Sequence, residues 1–270
     1  MTAPATGSSA FDRATAVAAA GDGRWAAICH PDWGVPTGPN GGYLAAIVLR
    51  AMEAQLGDSE RAARSLTCHY LRPPAADGVV VETVIERSGR TASTVSARLL
   101  QGDRLCIVAI AVFSDARDGA DAWSPPPPTA PAPEQVPSFP VVADSPSMAA
   151  HFELRPVFGG LPFSGAAEAL TGGWIRLAEP RALDAPALAL FCDAWLPAPF
   201  PRLREPIAAP TLELTVHFRA PEVVAALAPG EPVLGRFVSR AGAGGFFDED
   251  AEIWSRDGVL LAHSRQLALL

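Results

Sequence analysis

From Tyr43 to Leu49 every position is uncharged over about two helical turns, so the segment has no polar face. A helix apolar on all sides has to be wrapped by other elements. Strong helix formers fill Gly41 to Leu56 without a proline. Asn40 is placed to cap its amino end and Gly57 to end it in a left-handed turn. The pattern predicts a buried central helix. Gly41 and Gly42 leave its first N–H groups open to close approach, which makes them a candidate site for an electrophile.

On either side of this helix the pattern changes to strands. Phe11 to Ala20 alternates loosely and fits a first strand or a short helix, and Trp25 to Ile28 reads as a short strand ending at His30-Pro31. Trp33 to Pro39 is a loop. Arg64 to Pro74 is a strand closed by two prolines, and Val79 to Arg87 alternates with period two. Turns at Ser88-Gly89-Arg90 and Gln101-Gly102-Asp103 separate Ala92 to Leu100 from its neighbours, and Leu105 to Ser114 is a strongly apolar strand. One helix lying on a curled antiparallel sheet follows from this order. Ala116 to Pro140 is different, with Pro125 to Pro128 at its heart, and reads as an extended linker that joins no sheet.

The second half then repeats the first. Gly173-Trp174-Ile175 echoes Arg24-Trp25-Ala26, and Ala185 to Trp195 is a second apolar helix. Thr211 to Pro221 echoes Ser65 to Pro74. Val233 to Arg240, Phe246 to Trp254 and Val259 to Leu269 supply further strands, with turns at Gly242 to Gly245 and Arg256-Asp257-Gly258. An internal repeat of this length predicts a fused pseudo-dimer. The expected division is 1–118, a linker over 119–146, and 147–270.

Composition narrows the function. A net charge of −8 with 49% hydrophobic and 19% charged residues describes a well-packed acidic chain, with no basic field for nucleic acid. Every fixed cation is an arginine. Cys29, Cys68, Cys106 and Cys192 show no metal or CxxC spacing and read as free thiols of a reducing cytoplasm. Met1 to Ala10 carries neither a basic leader nor an apolar segment, so neither a signal peptide nor a membrane span is expected. There is no G-x-S-x-G, no H-E-x-x-H and no full G-x-G-x-x-G. Nucleophile-elbow serine chemistry, a zinc site and dinucleotide binding are therefore disfavoured, and no cofactor or metal is expected.

The chain resembles the double-hotdog acyl-CoA thioesterases of the thioesterase II family and their relatives. The resemblance rests on Gly41-Gly42, His69-Tyr70-Leu71-Arg72-Pro73, Phe152-Glu153-Leu154-Arg155-Pro156, Cys192-Asp193, Thr211 with His217-Phe218 and Pro221, and Gln266. It implies an α+β double hotdog: two tandem units, each an antiparallel curved sheet wrapped round a central helix. It also implies an acyl-CoA thioesterase, with Asp193, Thr211 and Gln266 as the catalytic set and a homo-oligomeric assembly. Two features depart from the family pattern: Glu213-Leu214 stands where the family usually has Asp-His, and the linker is unusually rich in proline.

Read from the residues alone, each position keeps a plain alternative. Asp193 is the single carboxylate of its apolar segment, either a helix-end residue facing water or a base activating water. Thr211 opens a strand, where a β-former is ordinary. Gln266 matters only if its side of the strand faces the core, where an amide needs partners. Thioester hydrolysis suits such a set: water, a base, and donors for the oxyanion, which Asn40, Gly41 and Gly42 would supply. Arg87, Arg90, Arg236 and Arg240 flank turns and could meet CoA phosphates, and His69 is a further substrate-binding candidate. The alternatives are a hotdog enoyl-CoA hydratase or dehydratase, and an acyl-CoA-binding module without chemistry.

Overall fold

The computed structural model describes residues 8–117, 123–143 and 145–270. The expected boundary at 118–119 and most of the segment Met1 to Ala10 lie outside the described residues.

Phe11 to Ala20 resolves into a short helix, α1 (Ala10–Ala14), capped by Ser9 with Asp12 reciprocating. Strand β1 (Arg24–Ile28) follows, and then α2 (Gly41–Leu56). Asn40 caps α2 by accepting from the Tyr43 N–H, and Gly57 ends it at φ 65° in the left-handed region. Tyr43 to Leu49 are all buried, as their lack of a polar face requires. Around α2 curl β2 (Ala62–Tyr70), β3 (Gly78–Ser88), β4 (Ser93–Gln101) and β5 (Arg104–Ser114).

The second half contains β6 (Phe152–Gly159), β7 (Leu170–Leu177), α3 (Ala185–Phe191), β8 (Thr211–Phe218), a short α4 (Pro221–Ala226) that the sequence pattern did not announce, β9 (Val233–Val238), β10 (Phe246–Trp254) and β11 (Leu260–Leu269). The glycines expected as a turn give Gly244 and Gly245 at φ 62° and 83°, the pair of positive angles a tight hairpin needs. The second helix is shorter than the expected Ala185 to Trp195. The helix ends at Phe191 with Cys192 as its cap, and Asp193 lies in the turn beyond.

All these strands form one antiparallel sheet in the order β1-β3-β4-β5-β2-β8-β11-β10-β9-β7-β6, with two-residue additions at Ala18–Ala19 and Gly242–Ala243. The order reads the same from either end if β1 is matched to β7, β3 to β9, β4 to β10, β5 to β11 and β2 to β8. The two halves join where β2 pairs with β8, Ser65 against His217, Thr67 against Thr215 and His69 against Glu213. Thr67 and Thr215 are equivalent residues of the repeat, 148 positions apart, and their hydroxyls meet at 3.0 Å on the local two-fold axis. The echo between the halves is thus a pseudo-symmetry of the folded chain.

Between 123 and 143 the chain contains no strand. It lies over the outer face of the second half, where Val136 joins Trp174, Leu234 and Trp254 in a small apolar cluster. Pro131 accepts the Trp174 indole N–H, and the carbonyls of Pro133 and Val136 accept from Arg155. Among the described residues no helix is long and apolar enough to cross a membrane, and all four cysteines are buried and unpaired.

Candidate active site

Helices α2 and α3 lie side by side and antiparallel, the amino end of α2 against the carboxyl end of α3. Glycine is required there. A Cβ on Gly42 would sit 2.8 Å from the Leu190 carbonyl oxygen and 2.9 Å from the Asp193 Cβ, and one on Gly41 would sit 2.9 Å from Asp193 Oδ2. Without side chains at these two positions the α2 backbone comes within hydrogen-bonding range of the Asp193 carboxylate.

Asp193 Oδ2 accepts from the Gly42 N–H at 2.8 Å and from Asn40 Nδ2 at 3.0 Å, and the same amide reaches the Asp193 backbone oxygen at 2.9 Å. Burial pushes the carboxyl up to about 6; the Gly42 N–H, the Asn40 amide and the Thr211 hydroxyl all pull against that rise by favouring the anion. The residue as a whole is half-buried.

Thr211 Oγ1 lies 3.5 Å from Asp193 Oδ1 and 3.3 Å from Gln266 Oε1. Strand alternation counted back from Leu214 would put Thr211 on the outer face with Glu213 and Thr215. A register shift between Thr211 and Glu213 reverses that alternation and turns Thr211 inward. Gln266 is buried on the inner face of β11, and its Nε2 donates to Glu249 Oε1 at 2.9 Å. Glu249, from β10, accepts the Ala198 N–H on its other oxygen. Burial, aided by the nearby Asp193 charge, raises the Glu249 carboxyl to about 8. Tyr70 closes the α2 side by donating to the Gly41 carbonyl at 2.8 Å.

The structure therefore brings Asn40, Gly41, Gly42, Asp193, Thr211 and Gln266 to one point. It adds Glu249 and Tyr70, which sequence reasoning passed over. Glu249 was within reach: in Phe246–Trp254 the inward positions are Phe247, Glu249, Ala251 and Ile253, a carboxylate in an apolar register. Two placements differ from expectation. The donors of the helix end are committed to Asp193 instead of standing open to a substrate carbonyl, because the glycines let the carboxylate come so close. His69 and Arg90 are not part of this cluster. His69 is exposed opposite Glu213 on the outer face of the sheet, since Leu66 and Cys68 take the inward positions of its strand, and Arg90 is exposed in the turn between β3 and β4.

The opposite ends of the helix pair form a pseudo-symmetric counterpart. Asp184 caps α3 there, taking the place that Asn40 has on α2. A register shift at Ala63 matches that at Thr211; Ala111 pairs with Leu66 as Gln266 pairs with Leu214; and Val95 pairs with Ala111 as Glu249 pairs with Gln266. Ala63, Ala111 and Val95 thus stand where Thr211, Gln266 and Glu249 do, and Glu53, whose carboxyl burial pushes up to about 7, lines a cavity of about 520 Å³ there with Leu56, Ala63, Leu188, Phe218 and Leu261.

The model of the acyl-CoA thioesterase C-terminal domain matches residues 124–270, and that of the N-terminal domain matches residues 29–114. Among solved structures, a conserved hot dog protein of unknown function from Alicyclobacillus acidocaldarius is 30% identical, with 97% of this chain and 98% of that one covered and a TM-score of 0.89. A structure assigned to thioesterase II from Thermobifida fusca is 27% identical over 98% of both chains, with a TM-score of 0.82. The acyl-CoA thioesterase II TesB2 of Mycobacterium marinum, 20% identical over 97% of this chain and 96% of that one, shares the fold with a TM-score of 0.77. No curated protein matches the chain.

Proposed function

Because the chain belongs to the acyl-CoA thioesterase family and is a thioester hydrolase with the double-hotdog fold, we propose that it hydrolyses an acyl-CoA by a water molecule activated at Asp193. One observation carries this reading. The Asp193 carboxylate is held by donors from the amino end of α2, with the Thr211 hydroxyl beside its second oxygen and Gln266 against that hydroxyl.

A carboxyl near 6 is ionised at neutral pH and still basic enough to take a proton from water as the water attacks. Thr211 and Gln266 fix the direction of the carboxylate and of the water it holds. The departing thiolate has a pKa of about 8.5 and leaves without a strong general acid, so a single base suffices. Gly42 and Asn40 keep that base ionised.

Thiol release measured across short, medium, long and aromatic acyl-CoAs tests the reading. Asp193→Asn preserves the shape and the Gly42 contact but removes the base, and kcat is expected to fall by at least about 100-fold. Full turnover in that variant would remove Asp193 from the role.

A further inference from the structure

The row of side chains behind Asp193 is one hydrogen short. Thr211 Oγ1 is within reach of both Gln266 Oε1 and Asp193 Oδ1, at 3.3 and 3.5 Å, yet a hydroxyl has one hydrogen to donate. With the Gln266 amide nitrogen on Glu249, the hydroxyl satisfies Gln266 and turns a lone pair toward the ionised Asp193. Two oxygens then face each other beside the base.

A half-turn of the Gln266 amide exchanges its nitrogen and oxygen with little movement of the heavy atoms. The nitrogen then donates to Thr211, and the Thr211 hydrogen is free for Asp193. The turned amide presents its oxygen to Glu249 Oε1, and that contact needs a hydrogen. We propose that Glu249 holds this hydrogen and is a positioning residue, aiming the Thr211 hydroxyl at Asp193 through Gln266. The inference rests on the thioesterase reading of the same site.

Three observations support it. Glu249 is only 4% exposed, and its Oε2 is occupied by the Ala198 N–H, leaving Oε1 for the proton. The charged groups acting on it are Asp193 across the site and Asp248 beside it on the strand; both disfavour a further negative charge, and no described arginine is among them. Burial and these two carboxylates keep the proton on up to about pH 8. In the pseudo-symmetric copy, Val95 and Ala111 stand in place of Glu249 and Gln266, so the row exists only where the base does.

Above that pH Glu249 becomes an acceptor, the amide turns back and Asp193 loses its donor. The wild-type kcat should therefore fall about tenfold between about pH 7 and about pH 9. Glu249→Gln fixes the protonated pattern, its oxygen taking the Ala198 N–H and its NH2 meeting the Gln266 oxygen. In that variant kcat should stay within about twofold over the same range. An alkaline fall retained in E249Q overturns the proposal, as does a uniform loss of rate with an unchanged profile. Should E249Q not fold, pH-difference infrared spectroscopy of the wild type decides: a protonated-carboxyl C=O band that disappears together with the alkaline fall supports the proposal, and its absence overturns it. Full activity in D193N would sink the thioesterase mechanism itself, whereas an inactive D193N beside an E249Q with an unshifted profile sinks only the role of Glu249.

Discussion

Asp193 and Glu249 are carboxyls in neighbouring surroundings that hold their protons to different degrees. Asp193 takes donors from Gly42, Asn40 and Thr211, which draw it down toward about 6, whereas Glu249, facing Asp193 with fewer donors, rises to about 8. Environments that push two titratable groups apart in this way divide the roles of base and proton holder. Under the proposed mechanism the ionised form of Asp193 is the active one, so kcat/KM should rise with pH through about 6 and hold until Glu249 ionises at about 8. A pH series of initial rates checks this, and a profile flat down to pH 4.5, well below the Asp193 value, would contradict it. At this scale Asp193 and Gln266 could be singled out by their resemblance to family positions. The inward turn of Thr211 could not, because it depends on a register shift that leaves no mark in the alternation of Thr211 to Phe218.

At the scale of elements, α2 was almost wholly legible. Its cap, its left-handed end and its apolar girth are local features, and local chemistry decides them. The end of α3 was less so, since no glycine or proline stands at Phe191-Cys192-Asp193 to mark it. What the two helices do together depends on Gly42, whose lack of a side chain lets them touch. Gly42→Ala places a carbon 2.8 Å from the Leu190 oxygen, a backbone atom that cannot swing aside. Overpacking of this kind should cost about 1–3 kcal/mol of stability. Because the displaced helix carries the donor to Asp193, kcat should also fall by about tenfold or more. Thermal melts and thiol release on one preparation would check both, and a variant with native rate and native melting would argue that the helices have slack.

For the whole molecule, the duplication was legible from Trp25 and Trp174, and from His69 and His217, which recur at nearly the same separation. The seam was not. Pairing β2 with β8 is a long-range choice that each strand makes only in the presence of the other, and it places Thr67 against Thr215 at the centre of the sheet. The pseudo-symmetry makes the two ends of the helix pair comparable position by position, and one of them has Ala63, Ala111 and Val95 where the other has Thr211, Gln266 and Glu249. Ala63→Val, at the unequipped end, should leave kcat for thiol release within about twofold, since distant sites act independently; a large loss would show that the two ends communicate.

The repeat thus confers no redundancy. A pair of identical subunits would offer two chances at each turnover, and one damaged copy could be covered by its twin. Here the amino-terminal half offers Glu53 but none of the Thr211, Gln266 and Glu249 side chains that flank Asp193, so under the proposed mechanism a single wrong residue at position 193 should silence the entire polypeptide.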